Sequence, residues 1–218
     1  MLSLDSIESV GVVSAWMLEP DLGALLLGLR ERGYATARVR PRSAGGYEIM
    51  FLEPGVIAIK GLTYILYDPG RRTLAIEGFR SEEVLVTLNE VEEVLKDVGN
   101  RPERGVLFYE LQAKAKASGS RSALKKAVEA KDLLGFNLLA VPTSFVSADG
   151  DPNSTRWLHL EVRPLWPSWA DERVRYEVIL VYRDRKDKLV EVLKRLSDVL
   201  SDVLNKVAVF AEWPCRFC

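Results

Sequence analysis

Histidine and glutamine each occur once in these 218 residues, as His159 and Gln112, and the only two cysteines close the chain as Cys215 and Cys218. A closed zinc site needs about four ligands, so one chain has too few soft donors to build one alone. Also missing are a Gly-rich phosphate loop, a G-x-S-x-G elbow, an H-E-x-x-H pair and a dinucleotide fingerprint. These absences remove the usual signatures of nucleotide-dependent enzymes, α/β-hydrolases and zinc proteases, and no cofactor is expected. No run approaches the roughly 20 apolar residues of a membrane-crossing helix. The densest, Leu22–Leu29, is interrupted by glycines. Met1–Glu8 carries acidic rather than basic side chains, unlike a signal peptide. The expectation is a cytoplasmic protein that does not enter the membrane.

Charge of one sign is lacking too. The net charge is −1, so no overall field draws the protein to nucleic acid or anionic lipid. The halves differ: residues 1–100 carry 10 Lys and Arg against 15 Asp and Glu, residues 101–218 carry 20 against 16. Scarce amides beside 28% charged residues suit a thermophile, where ion-pair networks replace thermolabile side chains.

What is present is an order of elements that runs twice, and the expected fold is α+β. Duplicated strand–helix–strands–helix units at 1–100 and 101–218 would form an antiparallel, curved sheet with helices packed on one face. In the first unit the apolar run Val10–Trp16 leads to a helix over Leu22–Arg32, capped by Asp21 and ended by Gly33. Its glycines, Gly23 and Gly28, either permit close packing on a sheet, the preferred reading, or leave the helix weak. Tyr34–Arg42 alternates as one half-buried strand; Tyr47–Leu52 and Val56–Lys60 follow. Thr63–Tyr67 and Arg72–Glu77 flank the turn sequence Asp68-Pro69-Gly70-Arg71. Ser81 is the expected cap of a helix reaching Val98, with Val84, Leu88, Val91 and Leu95 on its apolar stripe.

The second unit begins with a strand at Val106–Ala117 whose Leu107, Tyr109, Leu111, Ala113 and Ala115 should face a core. A helix is expected over Ser122–Leu134, ended by Gly135. Leu138–Ser147, Arg156–Arg163 and Arg175–Tyr182 read as strands, and Lys186–Val207 as one long helix. The apolar stripe of that helix would pack on the sheet or, in a homodimer, on a second copy.

Several pieces of the first unit stand where the TATA-binding-protein fold has comparable ones. Val10-Gly11-Val12-Val13-Ser14 sits at the first strand, and Gly46-Tyr47 enters a middle strand that Glu53-Pro54 follows. Ile65–Ile76 makes the hairpin, and Gly78-Phe79-Arg80-Ser81-Glu82 enters the long helix. Residues 8–98 thus resemble one repeat of that family, with an insertion near Ile57–Thr63; the second half shares only the order of elements. The resemblance implies a curved, saddle-like sheet. The family's DNA contact uses paired phenylalanine wedges, and Phe51, Phe79, Phe108 and Phe145 do not match that pair. Glu48 and Glu110 also put acid on the strands.

The candidate site is therefore the open sheet face of a non-catalytic binding protein, which would contact nucleic acid (DNA or RNA) or a protein partner. Arg38, Arg40 and Arg42 form a comb along one strand, with Lys114 and Lys116 on the equivalent strand of the other unit; such rows hold phosphates or simply face water. Trp157, Trp166 and Trp169 are candidate partner-binding anchors or core seals. The C-x-x-C tail can stay idle, close a disulfide or join a metal site shared between chains. Asp149–Asn153 lacks the glycine and glutamate of a calcium loop, so no metal site is expected there. His159, alternating on one side with Trp157, Glu161 and Arg163, reads as structural. The alternative is a small-molecule-binding protein or enzyme using a cavity between sheet and long helices, with Tyr47, Tyr64, Tyr67 and Tyr109 as lining.

Overall fold

Leu2–Trp16 forms one 15-residue strand, β1, far longer than the apolar run at its end. Its length comes from its neighbour: Val106–Ser120 (β8) is also 15 residues long, and the two pair antiparallel from Leu2↔Gly119 to Trp16↔Val106. Register shifts around Asp5 and Glu8 let an otherwise polar N-terminal stretch stay on the ladder. The computed structural model describes residues 2–41, 47–120, 128–133, 136–140, 144–147, 154–165 and 173–210.

The protein is α+β. After β1 come α1 (Leu22–Glu31), β2 (Ala35–Thr36), β3 (Arg38–Pro41), β4 (Tyr47–Met50), β5 (Val56–Lys60), β6 (Thr63–Asp68) and β7 (Thr73–Gly78). Then follow α2 (Ser81–Asp97), the single turn α3 (Pro102–Gly105) and β8. The chain continues through β9 (Val128–Leu133), β10 (Phe136–Ala140), β11 (Ser144–Val146), β12 (Trp157–Pro164), β13 (Arg173–Asp184), α4 (Lys186–Lys194) and α5 (Leu196–Phe210). Nine strands make one antiparallel sheet in the order β11-β12-β13-β8-β1-β7-β6-β5-β2; β3 with β4, and β9 with β10, form separate two-stranded ribbons.

Alternation puts the core on one face of the central strands. Val10, Val12 and Trp16 of β1 are buried with Tyr109, Leu111, Ala113, Ala115 and Ala117 of β8, and Val174, Tyr176, Val178 and Leu180 of β13 continue the row. Against them lie α2, α4 and α5, while α1 packs on α2 and on β5. Leu189, Leu193, Leu196, Leu200 and Leu204 are fully buried, each worth roughly 1.5–3 kcal/mol over exposure.

Several expectations are corrected. Residues 128–133, expected in a helix, are strand β9, paired from Val128↔Ala140 to Leu133↔Phe136. Gly135, expected as the helix end, lies outside the described residues; in sequence, glycine between apolar runs fits a hairpin as readily as a helix end. The long C-terminal helix is broken at Arg195 (φ −121°, ψ 28°), although its apolar stripe runs through the break. The stretch from Tyr34 is split as well: the Ala37 N–H still bonds to the Ile57 carbonyl (2.7 Å), the next rung after Thr36↔Ala58, and from Arg38 the chain leaves the main sheet to pair with β4.

Smaller differences concern caps and faces. Asp21 caps α1 as expected, accepting from the Ala24 N–H at 3.0 Å. Arg80 rather than Ser81 is the cap of α2, and its side chain makes no capping bond. Gly28 packs against α2, not the sheet: a Cβ there would sit 2.5 Å from Val94 Cγ1. Leu107 is 53% exposed, since the buried alternation of β8 starts only at Tyr109.

Candidate functional site

The face of the sheet opposite the core carries charged side chains paired from strand to strand. Glu110 of β8 stands beside Arg183 of β13, and Glu177 of β13 lies between Lys116 of β8 and Arg163 of β12. Direct cross-strand neighbours lie about 5 Å apart at Cβ, close enough for long side chains to pair.

Two carboxylates organise this face. Glu177 is only 7% exposed; Lys114 Nζ sits 2.7 Å from it and the Arg163 guanidinium also pairs with it. Lys114 first, and then Arg163, hold the Glu177 carboxyl below the usual carboxylate range against the opposing effect of burial. Glu110, 8% exposed, accepts from Arg183 Nη2 at 2.6 Å, Arg183 Nε at 3.1 Å and Gln112 Nε2 at 2.7 Å. The same guanidinium lies 4.0 Å from the Phe108 ring centroid and 5.8 Å from that of Trp157, and donates to the Ser154 carbonyl at 3.1 Å. The bulges of β1 add two acids: Glu8 pairs with Lys116, and Asp5 accepts from Ser118 at 2.8 Å.

Between these networks the face dips. Gly11 has no side chain, and around it Ser9, Glu77, Gln112, Lys114, Ile179 and Val181 line a shallow depression of about 210 Å³. Toward the β11 edge, His159 Nε2 lies 3.0 Å from Ser144 Oγ, and its ring is 5.8 Å from that of Trp157.

The sequence-derived candidates fall into different places. Arg38 and Arg40 are exposed on the β3–β4 ribbon, opposite Met50 and Glu48, whereas Lys114 and Lys116 lie on β8, in the central strand pair of the main sheet. They therefore do not form one comb, and both lysines are already paired to carboxylates. Trp157 is half-buried on β12. Arg42, Trp166, Trp169, the 149–153 loop and the Cys215/Cys218 tail lie outside the described residues.

Two polar clusters on the helical side escaped sequence reading. Glu92 of α2 is 4% exposed; it accepts from Tyr109 Oη at 2.9 Å and pairs with Lys186. These groups line a cleft of about 320 Å³ with Phe108, Glu103 and Asp184. Burial, together with the adjacent Glu92 carboxylate, pushes the Tyr109 phenol well above its ordinary range. Two residues earlier, Glu90 accepts from Tyr34 Oη and from Lys60 Nζ at 3.0 Å, beside a groove of about 470 Å³. Burial tends to raise the Glu90 pKa, but the Tyr34 hydroxyl and the Lys60 ammonium outweigh it and hold it low. The available signal was Glu92 itself, which follows Val91 directly and stands four residues after Leu88, on the buried side of α2.

Of the other tyrosines read as cavity lining, Tyr67 is buried with its hydroxyl on Glu19 at 2.9 Å, and Tyr64 is half-buried on β6. Among the described residues no group of three or more His, Cys, Asp or Glu is placed to hold a metal ion, and no helix is long and apolar enough to cross a membrane. No family model and no curated protein matches the chain.

Proposed function

We propose that the protein is a non-catalytic binding protein on a duplicated scaffold resembling the TATA-binding-protein fold, and that its open sheet face docks a protein partner. The order of strands supports the duplicated reading. From the central β1–β8 pair outward, the first half runs β1-β7-β6-β5 and the second runs β8-β13-β12-β11. Each half thus places its first strand beside its last, and then returns toward earlier strands.

One observation carries the choice of partner class. Four cations of the open face are held by acids of that face: Lys114 and Arg163 by Glu177, Arg183 by Glu110, Lys116 by Glu8; Arg173, further along β13, donates to the Ser118 hydroxyl. A phosphate backbone would have to displace those carboxylates, whereas a protein surface with its own mixed charges can pair with the rim and set a side chain over Gly11. The test is a photo-crosslinking amino acid at Gln112, with Asp202 on α5 as control, in cells that make the protein naturally. A Gln112-specific, protein-sized adduct that survives nuclease supports the reading. A nuclease-sensitive adduct, or none specific to Gln112, overturns it.

The cleft at Tyr109, Glu92 and Lys186 favours a second reading, a small-molecule site between sheet and helices. It ranks second because those three groups satisfy one another.

A further inference from the structure

The groove beside Glu90 carries an inference that is independent of the open face. It lies on the helical side, between the first turns of α2 and the tight turn joining β5 to β6. Lys60 and Thr63 pair across that turn, and Gly61 takes a positive φ of 59°, which leaves Leu62 at the tip. Leu62 is 60% exposed and Val86, on the facing side of α2, is 56% exposed. Both line the same groove of about 470 Å³. Two large apolar side chains from separate elements thus meet in one exposed groove with a polar rim, the arrangement that marks interaction sites.

The charge around them is one-sided. Glu82, Glu83 and Glu90 line the groove against a single cation, Lys60. Lys60 is committed to Glu90, and its ammonium also lies 4.8 Å from the Tyr34 ring centroid. Glu83 has only a long contact to Arg80, 3.6 Å on an exposed pair, and Glu82 has no cationic partner among the described residues. An apolar floor with a carboxylate rim complements one kind of surface. We propose that this groove binds a basic peptide segment of a partner protein, seating an apolar side chain between Leu62 and Val86 and its Lys or Arg residues on Glu82 and Glu83. An anionic partner such as nucleic acid or an acidic lipid is repelled by the same rim.

The probe is a fluorescein-labelled amphipathic peptide of lysine and leucine, with two counterparts in which glutamate replaces lysine or serine replaces leucine. Anisotropy is measured on the full chain. Micromolar binding of the lysine–leucine peptide alone is expected, weakening about tenfold between roughly 50 and 300 mM salt as the rim charges are screened. Leu62→Ser, Val86→Ser and Glu82→Lys should each weaken it about tenfold, while Asp202→Lys, outside the groove, leaves it unchanged. Melting curves accompany each variant. Should one fold poorly, another on the opposite wall still decides. Absence of binding, binding indifferent to the three groove variants, or equal loss with Asp202→Lys would overturn the proposal.

Discussion

Glu90 and Glu92 stand two residues apart on α2 and reach to opposite sides of it. Glu90 takes the Tyr34 hydroxyl and Lys60; Glu92 takes the Tyr109 hydroxyl and Lys186. Positions two apart on a helix point about 200° away from each other. The helix that closes the first half is thereby tied to residues 34 and 60 on one side and to residues 109 and 186 on the other.

The second tie should dominate stability. Glu92→Ala leaves the Tyr109 hydroxyl without its acceptor, but Lys186, about a third exposed, can turn to water. The expected loss is about 2–3 kcal/mol in urea unfolding, against about 1 kcal/mol for Tyr109→Phe, which removes one hydrogen bond. Equal losses would mean that the carboxylate itself contributes little.

Contact between α1 and α2 sets the next expectation. At Gly28 an alanine gains about 1 kcal/mol of helix propensity, yet its Cβ would sit 2.5 Å from Val94 Cγ1. Valine is stiff at χ1, so the methyl cannot swing away cheaply. Gly28→Ala should therefore destabilise by about 1–2 kcal/mol, lowering the melting temperature by a few degrees. Val94→Ala in the same chain should recover most of the Gly28→Ala increment. A Gly28→Ala protein at least as stable as the parent would show that the helices separate without cost.

How much of this was legible follows from where the signals are local. Asp21, the 3.6-residue periodicity and Gly33 fix α1 within a residue, and the stripe of α2 is equally plain. β8 was readable because Lys114 and Lys116 alternate with buried alanines. The errors arise where a distant partner decides. Polar Leu2–Ser9 becomes strand because β8 lies alongside it, and the strand expected from Tyr34 is divided between two partners, β5 as far as Ala37 and β4 from Arg38. For the site, alternation placed Glu110 and the lysines on the open face, but only the three-dimensional register puts Glu177 against Lys114 and Arg163. The Glu92 cluster joins residues 94 positions apart, a relation that no periodicity contains.

Glu177 also gives a pH dependence of definite sign. Its folded pKa is depressed, so its contribution is complete above the unfolded glutamate value of about 4.3. Below that pH the unfolded chain takes up the proton first, and the contribution is lost as pH falls through the folded value. Unfolding free energies of the parent and Glu177→Gln, from urea titrations, should therefore differ most at pH 6–7, by about 1–2 kcal/mol, and converge as pH drops below about 4. A constant gap down to the acid limit would mean that the carboxylate charge is not what Lys114 and Arg163 stabilise.

The same residue tests whether the open face takes up phosphates. With Lys114 and Arg163 held by Glu177, the parent should show little affinity for labelled duplex DNA at about 50 mM salt. Glu177→Gln frees Lys114 and leaves Arg163 only its longer contact to Glu161 (3.7 Å), and should raise that affinity. Its logarithm should then fall with log salt at a slope of about −2, near one counterion per freed charge. Arg38→Ala with Arg40→Ala separates the other surface, because those side chains are exposed on the β3–β4 ribbon and are not held by Glu177. Their removal should leave the affinity gained by Glu177→Gln intact. If the double variant abolishes that gain, the two surfaces act as one. If the parent already binds duplex tightly and loses it with Lys114→Ala, the paired cations were available all along, and the protein-partner assignment of the open face falls with them.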